Sequence, residues 1–305
     1  MGRILTGTSG YDYPEWVGAE RFYPPSLERR RDDWLTYYAS QFPLVELNFT
    51  YYGETSPKQL ERMLKRVEPQ RSLMLLEGDF RPMGGFQFVI KAYASLTHQI
   101  GDEWRAAAAK FCEDIAPLSE SGRLAGVLAQ FPARFHFSQQ TATYVVRLSE
   151  ELQPSRVIAE FRHHSWFQPK PRELLQRHGV VVAGVDAPDE AKLPRVLEDE
   201  TEVAPGTAND EAATAGALPF TYMRLHGRRE GSWWAGDAAS RYEYRYSDWQ
   251  LQQLARLLLT HAAVKTYALF NNHRHADAAK NAYQLMAIMD ALLKQAGGPV
   301  ENHTK

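Results

Sequence analysis

Residues 45–50 read VELNFT, in which Val45, Leu47 and Phe49 alternate with Glu46, Asn48 and Thr50. A period of two with one apolar set is the signature of a β-strand. The stretches AEFR (159–162) and TYMRLH (221–226) repeat it, setting Ala159, Phe161, Met223 and Leu225 against Glu160, Arg162, Tyr222, Arg224 and His226. A closed barrel accounts for both halves of the pattern, because one face of each strand packs on helices and the other points into the lumen. The apolar set then belongs to the helix layer, and Glu46, Asn48, Thr50, Glu160, Arg162, Tyr222, Arg224 and His226 point inward. The same parity sends Lys91, Gln130, Asp186 and Asn271 inward at the ends of their strands. The first strand is too small and too polar for parity to decide.

Working outward, segments 3–8, 44–49, 86–91, 124–130, 156–161, 180–186, 220–226 and 266–271 read as strands. Between and after them, 57–67, 103–118, 140–152, 171–178, 247–261 and 277–294 read as helices. Ser56 before Pro57 and Ser247 before Asp248 are N-cap signals. Eight strands alternating with helices predict an α/β fold, a single (β/α)8 TIM-type barrel spanning 1–305. An open doubly wound sheet would carry a glycine-rich phosphate loop after its first strand, and GTSGYDYPEW lacks the GxGxxG spacing. Residues 198–219, EDETEVAPGTANDEAATAGALP, are small, acidic and aperiodic, and read as a flexible insertion. No internal repeat is present.

The 305 residues carry 35 Lys+Arg against 37 Asp+Glu, a net charge of −2. Binding to nucleic acid by bulk electrostatics usually shows a basic excess, so any such contact must come from a local patch. The lone Cys112 excludes an internal disulfide and a CxxC metal site. MGRILTGTSG lacks the apolar core of a signal peptide, and no apolar run reaches the ~18 residues of a membrane span. A cytoplasmic protein with no membrane partner is expected.

Barrel interiors are normally filled with bulky apolar side chains, and active sites sit at the C-terminal ends of the strands. Here three acids (Glu46, Glu160, Asp186) and three bases (Lys91, Arg162, Arg224), with His226, collect at that end. Buried charges cost several kcal/mol each unless paired, so the bland alternative is a set of structural ion pairs across the lumen. The number of charged groups favours a ligand site instead. Glu160, His226, Lys91, Glu46 and Asp186 are the candidate proton-transfer or nucleophilic groups. Arg162 and Arg224, with Lys91, would hold an anion, and Asn48 and Gln130 would add polar contacts. The acids and His226 are acceptable ligands for zinc or manganese, but interleaved cations compete for the same carboxylates. No required cofactor or metal is expected, a divalent ion being the alternative.

Loops after the strands bring Tyr11, Tyr13, Trp16, Tyr51, Tyr52, Trp166, Trp233 and Trp234 to the same end. Of these, Tyr11, Trp16, Tyr52 and Trp166 are the candidate ligand contacts, since aromatic rings beside arginines suit sugar faces or unstacked bases. Asn271 and Asn272, in the turn entering the last helix, lie where many barrels bind phosphate.

The segments GTSGYDYPEW, ELNFTYY, FVIKAYASLTH, LAGVLAQFP, AEFRHHSW, YMRLHGR and FNNHRHADAAKNA together resemble the YecE-like family, catalogued as domain of unknown function 72. The resemblance runs from about Leu5 to Leu292 and implies a TIM-type barrel without implying an established reaction. The family's shape resembles endonuclease-four and xylose-isomerase barrels, but fold likeness does not transfer chemistry. This chain lacks the many-histidine metal cluster of that nuclease class.

The expected function is acid–base chemistry on a small anionic, hydroxyl-rich ligand such as a sugar phosphate. The alternatives are a nucleic-acid-binding or phosphodiester-cleaving protein, and a non-catalytic sensor barrel. Residues 198–219 offer little apolar area to offset an ordering entropy of about 1–2 kcal/mol per residue. Replacing them with a short Gly/Ser linker should leave the melting temperature nearly unchanged; a drop of several degrees would show that they pack on the barrel.

Overall fold

The computed structural model describes residues 4–67, 85–193, 220–231, 233–234, 238–260 and 265–296. The insertion expected at 198–219 lies outside them. Parallel strands β1 (Ile4–Ser9), β2 (Leu44–Leu47), β3 (Gln87–Lys91), β4 (Leu124–Gln130) and β5 (Val157–Glu160) follow one another around the sheet. The sixth predicted strand is broken at Ala183 into β6 (Val181–Val182) and β7 (Gly184–Asp186), and β8 (Phe220–Leu225) and β9 (Lys265–Phe270) complete the set. β6 pairs with β5, β7 pairs with β8, and β9 returns to β1, so both ends of the sheet meet on one stretch of chain. Ala183 N donates to Ala159 O at 2.9 Å across the break. The result is a TIM-type barrel with one interrupted strand.

Helices α1 (Trp34–Gln41), α2 (Pro57–Val67), α3 (Trp104–Glu120), α4 (Gln139–Glu151), α5 (Pro169–Arg177), α6 (Ala238–Arg241), α7 (Asp248–Thr260) and α8 (Asp277–Ala296) accompany the strands. Both predicted caps form. Ser56 Oγ accepts from Gln59 N at 3.3 Å, and Ser247 Oγ accepts from Gln250 N at 3.3 Å while Gln250 Oε1 takes the Ser247 N–H at 2.9 Å. That reciprocal pair satisfies donors that a helix start otherwise leaves open. Among the described residues no helix is long and apolar enough to cross a membrane.

Two apolar layers lie on opposite faces of the sheet. Val45, Leu47, Ala159, Phe161, Met223 and Leu225 join the helix-facing core, whereas Leu44, Val89, Leu128, Ile158, Val181, Ala183, Phe220 and Leu269 fill the lumen. Glu46, Glu160 and Arg224 stand one pleat further along the inward rows. Gly7 lets β1 approach β2 closely enough to bring Ser9 beside Glu46, since a Cβ there would lie 2.2 Å from Leu44 O.

Parity fails at one place. Asp186 stands in register with Leu225, and Val185 with Arg224, so Asp186 faces the helix layer and not the lumen. The run Val180–Val185 is apolar throughout except for Gly184 and offers no alternation from which to read the face.

Two aromatics expected to meet ligand are packing anchors. Trp16 is fully buried and donates its indole N–H to His273 O at 2.6 Å, tying the loop after β1 to the loop after β9. Trp166 is also fully buried, stacked on Phe161 at 4.0 Å, with its N–H on Phe135 O at 2.7 Å. Trp166→Ala should therefore cost about 3–5 kcal/mol in urea unfolding. Tyr52 is 84% exposed, and Tyr52→Ala should stay within about 0.5 kcal/mol of the parent. Equal effects would show that Trp166 is not an anchor.

Candidate functional site

Arg224, projecting from β8, is the centre of the lumenal charge cluster. Its Nε donates to Glu46 Oε2 at 2.9 Å, Nη2 to Glu46 Oε1 at 2.6 Å and to Ser9 Oγ at 3.1 Å, and Nη1 to Glu160 Oε2 at 2.5 Å. Glu46 also accepts from the hydroxyls of Ser9 and Tyr222. All five groups are buried. Burial drives the Glu46 carboxyl up, but the Arg224 charge and these hydrogen bonds outweigh it and hold the group below its usual range. Glu160 is likewise pushed up by burial, yet Arg162 and Arg224 hold it well below the usual carboxylate range. Both acids are ionised at neutral pH; Glu46 accepts four hydrogen bonds from protein donors, and each Glu160 oxygen accepts one from an arginine.

A second set of groups around Glu160 is under-used. Arg162 is 8% exposed and donates Nε to Glu160 Oε1 at 2.6 Å; the Tyr242 hydroxyl also approaches the guanidinium, while the buried Nη2 closes no hydrogen bond among the described residues. Trp233 lies under this guanidinium, 4.7 Å from its ring centre. His226 is fully buried and pairs Nδ1 with Asn271 Nδ2 at 2.9 Å. With Asn271 donating, the imidazole proton sits on Nε2, which faces Glu160 Oε1 at 3.5 Å and has no shorter partner. Burial lowers the His226 pKa to about 4 against the pull of Glu160, so the ring is neutral at pH 7.

Lys91 reaches the same mouth from β3. Its ammonium rests over the Tyr51 ring at 4.1 Å, and no hydrogen bond or ion pair holds it among the described residues. Burial first, and then the Arg224 charge, bring its pKa down to about 8, with Glu160 and Glu46 opposing. The pairs Arg224–Glu46 and Arg162–Glu160 cancel in charge. Protonated Lys91 then adds a positive charge to these balanced pairs, and Arg241, whose Nε is buried without a partner among the described residues, adds another at 5.8 Å from the Trp233 ring.

The remaining predicted residues fall into distinct places. Asp186 is fully buried on the outer face, accepting from Arg228 Nε at 3.0 Å and from the Tyr246 hydroxyl at 2.7 Å. It lies on the opposite face of the sheet from the Arg224 network and is removed from the candidate proton-transfer groups. Arg224, expected to face an anion, spends its described donors on Glu46, Glu160 and Ser9. Asn48 directs a buried Oδ1 without a partner, and Gln130 stands opposite Glu160 in register. Asn272 is structural, its Nδ2 donating to Tyr244 O at 2.8 Å and Asn281 Oδ1 at 2.9 Å. Tyr11 packs beside Tyr38, its hydroxyl pushed up to about 12 by burial. Tyr52 stands out in solvent.

Sequence reasoning did not assign site roles to Ser9, Tyr51, His98, Trp233 or Tyr242. Ser9 was not findable by parity, because β1 is too small and too polar to alternate; the structure puts it on the inward row of β1 with Leu5. His98 packs edge-on to Tyr51 at 4.9 Å, and burial beside Lys91 lowers its pKa to about 4. Tyr242 lies 5.6 Å from the His226 ring. Among the described residues no group of three or more His, Cys, Asp or Glu side chains is arranged to hold a metal ion. The Glu46 and Glu160 oxygens that would ligate one are already bonded to arginine.

The crystal structure of a DUF72 family protein from Thermotoga maritima MSB8 superimposes with a TM-score of 0.72 at 30% identity, covering 96% of this chain and 99% of that one. The UPF0759 protein YunF of Bacillus subtilis (strain 168) is 28% identical over 293 residues, 90% of this chain and 92% of YunF. An L-ribulose 3-epimerase structure shares the fold alone, with a TM-score of 0.50 and 12% identity over the whole of both chains. A family model described as Protein of unknown function DUF72 matches residues 5–303. The chain belongs to the DUF72 family.

Proposed function

We propose that the barrel mouth binds one small, hydroxyl-rich anion carrying a phosphate or carboxylate, with Arg162 and Lys91 as its charged contacts and Lys91 as the group that moves a proton. The observation that carries this reading is the unpartnered, buried Arg162 Nη2 beside a lysine with no counter-ion. Leaving a buried charged donor unsatisfied costs more than the ~1–3 kcal/mol of a neutral one, so a ligand oxygen is the natural complement. Asn48 Oδ1, the Gln130 amide and the hydroxyls at the rim supply polar contacts of the kind a sugar needs. A few surplus charges gathered at one mouth suit one anionic group better than the phosphate track of a nucleic acid. With Trp16 and Trp166 sealed in the core, those two rings are not available for stacking bases.

A proton-transfer group works best with a pKa near the working pH. Glu46 and Glu160 are held too acidic and His226 is lowered to about 4, while Lys91 stands at about 8. That assigns proton movement to Lys91 and leaves Glu160 to orient Arg162 and His226. The reading needs no metal, since arginines already neutralise the acids.

The two arginines should separate on mutation. Arg162→Gln should weaken sulfate or sugar-phosphate binding about tenfold or more, because a charge-assisted hydrogen bond contributes roughly 1.5–3 kcal/mol and 1.4 kcal/mol is about one decade. Arg224→Gln strands two buried carboxylates and should cost ~3–5 kcal/mol of stability, with smaller effect on binding by the folded fraction. A melting curve and a titration on each variant check this; weaker binding with unchanged stability in Arg224→Gln would reverse the assignment.

Sulfate does not titrate between neutral and mildly basic pH, so its binding reports the protein groups. Lys91 is lowered to about 8, so it is charged below that pH and neutral above. Sulfate affinity, measured calorimetrically, should fall as pH rises through about 8. A flat profile would remove Lys91 from the anion site.

A further inference from the structure

We propose that Lys91 is an imine-forming amine, condensing through Nζ with the carbonyl of a ligand whose phosphate or carboxylate rests on Arg162. This rests on the reading of the mouth as an anion site and names the class of ligand: an anionic carbonyl compound, such as the open-chain form of a sugar phosphate or a keto acid.

The geometry sets Lys91 apart from the other lysines with described partners. Lys110 is paired with Asp114, Lys265 donates to Gln87 at 3.0 Å, and Lys294 meets Asp290 at 2.8 Å. Lys91 projects from the inward row of β3 near two carboxylates, yet both are taken by arginines, and among the described residues its ammonium is held by the face of Tyr51 and by no hydrogen bond or ion pair. Thr50 Oγ1 donates to Lys91 O at 2.5 Å and fixes the strand end that carries the side chain. The residue remains partly exposed at the mouth, so a ligand can reach it. Neighbouring cations and burial are the two means by which a lysine amine is kept neutral enough to attack carbon. Arg224 and burial supply both, and they outweigh the opposing acids.

The step balances without an oxidant or reductant. The Nζ lone pair attacks the carbonyl carbon, a proton passes from nitrogen to the former carbonyl oxygen, and protonated hydroxyl leaves as water. Taken from the ammonium form, lysine and carbonyl give an iminium and one water. The iminium keeps the positive charge of the ammonium, so the surplus charge facing the anion is preserved. It also acidifies the adjacent C–H bond, which is the common requirement of isomerisation, epimerisation and carbon–carbon cleavage beside a carbonyl.

Sodium cyanoborohydride reduces an iminium to a stable secondary amine and so records it. The full-length protein would be incubated with dihydroxyacetone phosphate or with pyruvate plus this reductant, then mapped by peptide mass. One adduct per chain at Lys91 is expected with at least one of the two probes. Its rate should rise with pH through about 8, and it should be suppressed by excess glycerol 3-phosphate, which has the anion without the carbonyl. Arg162→Gln should slow the labelling about tenfold, which corresponds to about 1.4 kcal/mol. No adduct with either probe, or label scattered over surface lysines, while sulfate still binds, would overturn the imine and leave the anion site standing. Loss of sulfate binding as well would overturn both. Because the site is mapped in the unmutated protein, the result does not depend on a Lys91 variant folding.

Discussion

One buried guanidinium organises the mouth of this barrel. Arg224 bridges Glu46 on β2 and Glu160 on β5 and touches Ser9 at the end of β1, so a single side chain from β8 links four strands across the lumen. Taking three charges out of water costs several kcal/mol per ion, and attraction in the low-dielectric interior repays that only when the remaining donors and lone pairs are satisfied. Ser9 and Tyr222 provide that satisfaction for Glu46, and Arg162 provides it for Glu160. The network is therefore closed on one side and open on the other. Its Glu46 side is saturated, and its Glu160 side ends in an arginine and a histidine that still have donors to offer.

That asymmetry separates structure from chemistry among groups of the same type. Arg224 on β8 and Arg162 just past β5 are both inward arginines, yet one is consumed by the scaffold and the other retains an Nη2 without a partner among the described residues. Glu46 and Glu160 are both depressed acids, unsuited to accept a proton near neutrality. The acids act by fixing the arginines. The ability to change protonation state near neutrality passes to Lys91, whose ammonium the acids leave unpaired among the described residues and whose pKa stands at about 8.

The barrel was legible because its charged strands alternate so cleanly. In VELNFT, AEFR and TYMRLH each inward charge is flanked by apolar neighbours, so period-two parity placed Glu46, Glu160, Arg162 and Arg224 on one face before any packing was known. Parity gave no purchase on residues 180–186, where the apolar run has no polar set to contrast with it, and Asp186 went to the wrong face. The break at Ala183 was invisible for the same reason. Aromatic loop residues were misread in another way. Composition shows that tryptophans gather near the strand ends, but only packing shows that Trp16 and Trp166 turn inward and cap backbone carbonyls. Which donors a charged residue has already spent is also beyond a sequence pattern, because it depends on the rotamers of partners that can be distant in the chain, as Glu46 is from Arg224 by 178 residues. That is why Arg224 and Arg162 looked alike until their hydrogen bonds could be counted.

The position of His226 follows from the same accounting. A buried imidazole lowered to about 4 is a poor base at neutral pH, although it lies 3.5 Å from a carboxylate. Asn271 fixes its tautomer by donating to Nδ1, which leaves an Nε2 proton aimed toward Glu160 and the neighbouring volume. A neutral histidine of this kind donates a hydrogen bond without carrying charge, so it can orient a ligand oxygen while leaving the electrostatic balance to Arg162 and Lys91. Protonating it instead would place a third cation beside Arg162 and Arg224 and compete with both for Glu160. Burial first, and then the arginines that stabilise the ionised acid, keep the histidine neutral, so one buried arrangement of charges sets the protonation states of Glu160, His226 and Lys91 together.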